Sequence, residues 1–199
     1  MALRALLRNN LFILLAIIIF SCCNKHTTNT VMASIPNIWK EVTDSNFKHQ
    51  QGFLYYKQQL FSGHQYTLYP NGDSAFTCSY FQGKEEGILK TWYDNKCPET
   101  IRLYRNGFKV GIHKGWWPNG MHKFEYHLLA DKYEGNIKEW YANGRLYRDF
   151  NFKNGQEDGM QKMYFPDGSI QVNYEARNGR NYGLTGVKNC VNVGDSIKK

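Results

Sequence analysis

Gly135 to Asp158 reads GNIKEWYANGRLYRDFNFKNGQED, and this stretch of 24 residues recurs, with decay, along most of the chain. Counted outward from Gly135, glycines fall at Gly63, Gly87, Gly111, Gly159 and Gly183 with no insertion between them. A second series marks an aromatic-x-Asn/Asp-Gly turn at Tyr69 to Gly72, Trp117 to Gly120, Tyr141 to Gly144 and Phe165 to Gly168. A third lies at Gly83, Gly107, Gly155 and Gly179. A fixed period of roughly 20 to 50 residues marks a repeat architecture, whose units cannot bury a face alone and do so against their neighbours.

Each unit holds two runs of six to eight residues divided by Asn-Gly or Asp-Gly. This is the strongest short-range hairpin signal, because tight primed turns need positive φ at both central residues. The expected fold is all-β, an elongated open antiparallel sheet of serial hairpins. Its five units span 63–86, 87–110, 111–134, 135–158 and 159–182, and the second turn of each returns the chain to the next. Two units deviate: Asn95-Lys96 and Ala130-Asp131 stand where the others have glycine. Lys disfavours the left-handed region, so a changed loop is expected around Cys97-Pro98. Residues 183–199 begin a sixth unit and are expected to supply one closing strand.

Before the array, residues 35–62 form a lead-in. Trp39, Val42 and Phe47 suit an irregular segment that covers the first sheet edge, which an open array must protect. FLYYKQQLF (53–61) reads as a capping hairpin that turns at Gln58-Gln59.

The chain is basic, with 25 Lys plus Arg against 17 Asp plus Glu, and its 16% aromatic content suits exposed β-structure better than a globular core. Residues 1–21 are set apart from the fold. Arg4 and Arg8 precede an unbroken apolar run from Leu11 to Phe20. That run is about half the roughly 20 residues of a membrane span, so it reads as an export signal. Ile19-Phe20-Ser21-Cys22 resembles the lipobox of bacterial lipoproteins, which implies lipid attachment at Cys22. Residues 22–34 are polar and patternless, as a flexible tether would be. Losing the two arginines of the leader, which holds no acids, lowers the net charge from +8 to +6. Export also excludes nucleic acid as a partner and leaves phospholipid, polysaccharide and other proteins. The expected location is the bacterial cell envelope, on the outer-membrane or periplasmic side.

Units with G-x-x-x-x-aromatic-aromatic-x-N-G and a closing N-G resemble the bacterial variant of the MORN repeat, best known from the family described as YwqK-type antitoxins. The preceding FLYYKQQLFSG, with Phe61-Ser62-Gly63 in place of Phe-Thr-Gly, is similar to the entry segment of those proteins. The resemblance covers roughly residues 52–190. It implies serial hairpins and an antitoxin-like or immunity-like role, and it implies no established biochemical activity. The Trp-x-x-Asn-Gly hairpins, as at Trp117 to Gly120, are also similar to choline- and glucan-binding wall repeats.

A two-residue loop at each Asn-Gly would pair Ala142 with Arg145, Tyr141 with Leu146 and Trp140 with Tyr147. Residues two apart share a face. One face then carries Phe76, Cys78 and Tyr80; Phe124, Tyr126 and Leu128; Leu146, Phe150 and Phe152; and Ile170, Val172 and Tyr174, opposite Tyr69, Tyr93, Trp117, Tyr141 and Phe165. The other face bears Lys90, Lys114, Lys138 and Lys162, each followed two residues later by Trp92, Trp116, Trp140 or Tyr164, with Leu68 in the first unit. The same register places Glu125 beside Lys114 and Asp149 beside Lys138, cross-strand pairs worth about 0.2 to 1 kcal/mol each. Either the lysine stems lie over the indoles and cover a thin sheet, or the ladder is a docking surface for a protein or glycan, stepping by about 10 Å.

Free thiols are expected at Cys23, Cys78, Cys97 and Cys190. Cys78 and Cys97 lie about five residues and a face apart in the repeat, beyond the roughly 4.4 to 6.8 Å between bridged Cα atoms. His26, His49, His64, His113, His122 and His127 show no metal-ligand spacing. The glycines are periodic turn residues, with no phosphate loop or nucleophile elbow. Acid pairs such as Glu85-Glu86 and Glu157-Asp158 read as solvated turns. The sequence therefore points to a monomeric, non-catalytic interaction module without cofactor or metal. A protein partner leads, with envelope glycan as the alternative.

Overall fold

The computed structural model describes residues 34–186. The leader, Cys22, Cys23, the tether up to residue 33 and the tail from residue 187, with Cys190, lie outside them.

The lead-in is more regular than expected. β1 (Trp39–Glu41) is a strand, and β2 (Phe47–Gln50), β3 (Phe53–Tyr56) and β4 (Gln59–Leu60) form a separate three-stranded sheet. Its second turn is Lys57-Gln58, both at positive φ, one residue before the expected Gln58-Gln59. The units follow as β5 (Gly63–Leu68), β6 (Ser74–Phe81) and β7 (Lys84–Glu85); β8 (Gly87–Trp92) and β9 (Pro98–Arg105); β10 (Phe108–Trp116), β11 (His122–Leu129) and β12 (Lys132–Tyr133); β13 (Gly135–Trp140), β14 (Leu146–Lys153) and β15 (Gln156–Glu157); and β16 (Gly159–Tyr164), β17 (Ile170–Arg177) and β18 (Arg180–Leu184). The main sheet runs from β1 to β18 without closing into a barrel. Its pairings are antiparallel apart from β1, which lies parallel to β5 and covers that edge.

The two turns of each unit differ. The second, at Gln82-Gly83, Asn106-Gly107, Ala130-Asp131, Asn154-Gly155 and Asn178-Gly179, has positive φ at both residues, as primed two-residue turns require. The first does not have two residues. Tyr141 N–H donates to Arg145 C=O at 2.9 Å and Gly144 N–H to Tyr141 C=O at 2.9 Å, which makes a three-residue loop. Only Gly144 turns left-handed within it, at φ 81. Asn143 serves another purpose: its Oδ1 accepts the Arg145 N–H at 3.0 Å, and Asn71, Asn95, Asn119 and Asp167 do the same in their units. Short polar side chains that bond the backbone two residues on are what this turn selects.

The corrected loop changes the pairing beside it. Tyr141 stands opposite Arg145 and Trp140 opposite Leu146, and then Tyr147 is left over as a β-bulge, so that Glu139 faces Arg148. The extra loop residue and the extra strand residue cancel. Below the bulge Lys114 faces Glu125 and Lys138 faces Asp149, as the two-residue loop would also place them. Above it, parity is reversed. Leu146 and Ile170, expected on the structural face, stand directly opposite Trp140 and Tyr164 on the ladder face, and Ile170 is 54% exposed.

Lys96 does not alter its loop. It occupies the glycine position at φ 68, with the same bonds from Lys96 N–H to Tyr93 C=O and from Tyr93 N–H to Cys97 C=O. A side chain there strains the backbone by about 1 to 2 kcal/mol. Its ammonium reaches Asp73 in the preceding unit at 3.2 Å.

Side chains stitch one unit to the next. Tyr69 Oη donates to Trp92 C=O, Tyr93 Oη to Trp116 C=O, Trp117 Nε1 to Trp140 C=O and Tyr141 Oη to Tyr164 C=O, at 2.7 to 3.0 Å. The aromatic comb thus needs polar tips as well as rings. The boundary acids are also structural and not solvated turns. Glu86, 7% exposed, accepts the Asn106 N–H of the next turn at 2.7 Å, Glu134 does the same for Asn154, and Glu157 accepts the Tyr174 hydroxyl.

Two apolar clusters form on the inner face. Leu54, Phe61, Cys78 and Tyr80 pack where the three-stranded sheet meets the array. Ile137, Phe150, Val172, Tyr174 and Ala176 pack across the last two units. First strands contribute an inward column of Gln65, Leu89, His113, Ile137 and Gln161. Two of its polar members turn back to the backbone: His113 Nε2 lies 2.9 Å from Leu103 C=O, and Gln161 Nε2 donates to Asn151 C=O at 2.8 Å. Burial lowers the His113 pKa and keeps its ring neutral.

Candidate binding surfaces

The ladder face carries all eight expected site residues, yet it joins only some of them. Trp116 and Trp140 belong to adjacent units and are bridged by His122, whose ring centroid lies 6.0 Å from the first indole and 5.5 Å from the second. His122 reaches this position because it stands directly opposite Trp116, just above the bulge. Sequence reasoning missed it through the same parity error that misplaced Leu146. A cleft of about 350 Å³ opens beside it, lined by Met121, His122, Glu125, Lys138, Trp140 and Gly144.

Charge on this face is partly matched. Lys114 Nζ meets Glu125 at 3.1 Å, and His127 Nε2 lies 3.5 Å from the other oxygen of the same carboxylate. Burial works to raise the Glu125 pKa, but the hydrogen bonds from Lys114 and His127 outweigh it and hold the carboxyl below its usual range. Among the described residues Lys138 forms no such ion pair. Asp149, opposite it, instead accepts from Asn136 Nδ2 at 2.6 Å. Lys90 and Lys162 stand opposite Ile101 and Asn173.

Among the described residues no lysine ammonium lies over a ladder indole. The lysine over an indole is Lys123, 4.6 Å from the ring of Trp117 on the inner face. Trp92 lies apart, in a smaller cleft of about 230 Å³ with Asp73, Ser74 and Lys96. Tyr164 faces Ile170. Four of the eight, Trp116, Trp140, Lys114 and Lys138, thus meet in a central strip with His122 and Glu125, and the other four lie at two outlying ends.

Cys78 and Cys97 are free thiols, and burial pushes Cys78 up to about 12, where a thiol is a poor nucleophile. Among the described residues no group of three or more His, Cys, Asp or Glu side chains is placed to hold a metal ion. No protein-family model matches the chain, and no curated protein matches it.

Proposed function

We propose that the chain is a non-catalytic, envelope-anchored repeat module that captures a protein partner on its ladder face, in the antitoxin-like or immunity-like manner the YwqK resemblance implies. It works as a monomer, without cofactor or metal. The observation that carries this reading is the Trp116–His122–Trp140 strip beside a cleft rimmed by Lys138 and Glu125. Desolvated aromatic anchors ringed by polar groups are the usual source of binding energy at protein interfaces.

The test sets envelope proteins against cell-wall sugars as bait for the full chain, with a variant in which Trp92, Trp116 and Trp140 are all alanine. Hot-spot aromatics contribute about 2 kcal/mol or more each, so capture of a protein should fall by well over tenfold while the β circular-dichroism spectrum is kept. Loss of the β spectrum would mean that the indoles merely cover the sheet. Capture of sugar alone would replace the protein reading with the glycan one.

Anchoring is proposed at Cys22. Changing Cys22→Ala should abolish palmitate labelling and move the protein from the membrane fraction to the soluble one. Undiminished labelling would remove the lipid anchor from this reading.

A further inference from the structure

The inner face is not apolar throughout. Between the two clusters lies a cleft of about 330 Å³ whose lining includes Arg102, Lys109, Lys123, Phe124, Tyr126 and Tyr133, with no carboxylate. His113 also lines it, but burial keeps that ring neutral. The nearby acid Glu139 is already engaged, accepting from Tyr126 Oη at 3.0 Å and from Arg148 Nη1 at 3.1 Å. Three cations therefore share one concavity with no acid among its walls.

The repeat supplies an internal control for each of them. Arg102 occupies the column filled elsewhere by Cys78, Tyr126, Phe150 and Tyr174. Lys109 stands where the other units have Glu85, Tyr133, Glu157 and Asn181. Lys123 is the bulge residue, in place of Ala75, Glu99, Tyr147 and Gln171. A sheet that needed only to bury this face would keep the apolar and acidic residues of its sister units. Concentrated like charge is unfavourable for folding and favourable for anion capture.

A second inner cleft of about 290 Å³ shares Lys123, Phe124 and Tyr126 with the first and adds Trp117, Glu139, Trp140, Tyr141 and Tyr147. Cationic at one end and mainly aromatic at the other, where the carboxylate of Glu139 is held by Tyr126 and Arg148, the two form a continuous trough. Its floor is made by the interior strands β9, β10, β11, β13 and β14, with Tyr133 added from β12, which pairs with β11. Their backbone groups are committed to their neighbours, so an acidic peptide could not add itself as a strand there. A sugar brings hydroxyls that pair with tyrosine and lysine side chains, and apolar ring faces that lie on aromatics.

We propose that this trough binds an acidic oligosaccharide, with its carboxylates held by Arg102, Lys109 and Lys123 and its sugar rings laid along the tyrosines and Trp117. Of the ladder residues Trp140 also lines this trough, whereas Trp92 and Trp116 do not, so loss of those two tests the ladder without touching the trough.

Calorimetric titration of the full chain with trigalacturonate, with the neutral galactose trimer and with a capped triglutamate peptide tests it. Trigalacturonate should bind at least tenfold more tightly than either and should weaken as salt is raised. Lys109→Glu, which restores the residue of the first and fourth units, should cost at least tenfold. Arg102→Tyr, which restores that of the third and fifth, should do the same and serves if the first variant unfolds. A variant with Trp92 and Trp116 both changed to alanine, neither of which lines the trough, should bind trigalacturonate unchanged. Equal binding of the neutral trimer, preference for triglutamate, or indifference to both charge changes in folded protein would overturn the proposal.

Discussion

Replacing Ile137 by alanine should destabilise the C-terminal half of the array by about 2 to 5 kcal/mol, the usual cost of emptying a large aliphatic site in a packed core. Ile137 is 1% exposed, stands opposite Phe150 and packs in one cluster with Val172, Tyr174 and Ala176. The other apolar cluster is built on Leu54, Phe61, Cys78 and Tyr80, and the polar middle of the inner face lies between them. In an array whose units touch only their neighbours, stability is a sum of unit and interface terms, so damage should stay local. Hydrogen exchange should show amides of β13 to β17 losing protection by roughly 30-fold or more, the equivalent of about 2 kcal/mol, while β3, β5 and β6 keep theirs. Uniform loss along the chain would show that the array unfolds as one unit and would sink this account. Leu89→Ala is the matched control: Leu89 holds the same column but is only partly buried beside the N-terminal cluster, so it should cost less.

The contrast between these two positions shows what a sequence reader can and cannot see here. The 24-residue comb made the hairpin order plain, since glycine and asparagine recur where the backbone must turn. The register expected for a two-residue loop also holds below the bulge, because the bulge residue offsets the third loop residue. The proline positions carried the signal for the true turn. Pro70, Pro118 and Pro166 are the first of the three loop residues, where φ near −65° suits a type I turn and forbids a primed one. Side-chain parity above the bulge was out of reach without that correction, which is why Leu146, Ile170 and His122 moved to the ladder face. The inward column of Gln65, Leu89, His113, Ile137 and Gln161 has no hydrophobic periodicity, and His113 and Gln161 are satisfied there by backbone atoms of a neighbouring strand. The three-cation cleft draws on Arg102, Lys109 and Lys123, three columns that come together only once the strands are paired.

Gly115→Ala is expected to cost about 1 to 3 kcal/mol, the range for forcing a methyl group into a filled site. Gly115 lies outside all three glycine series and has no unusual φ, so backbone freedom does not explain it. Its sister positions are Thr67, Thr91, Glu139 and Met163, which shows that this strand accepts a side chain here. The obstacle is Phe124, directly opposite, whose ring lies across the glycine, so that a Cβ at 115 would overlap it. Such a ring covers the backbone that a strand glycine leaves bare. Phe124 in turn stacks on Tyr126 with centroids 4.5 Å apart and forms part of both inner clefts. Displacing it should therefore disturb the trough as well as the fold. A double-mutant cycle read by urea denaturation separates this cause from any general intolerance of the strand. With Phe124→Ala already in place the overlap is gone, and Gly115→Ala should then stabilise by about 0.5 to 1 kcal/mol, the usual gain of alanine over glycine in a strand interior. The reversal of sign is the decisive observation. If Gly115→Ala destabilises to the same extent in both backgrounds, the glycine is required by the backbone and the ring is a bystander.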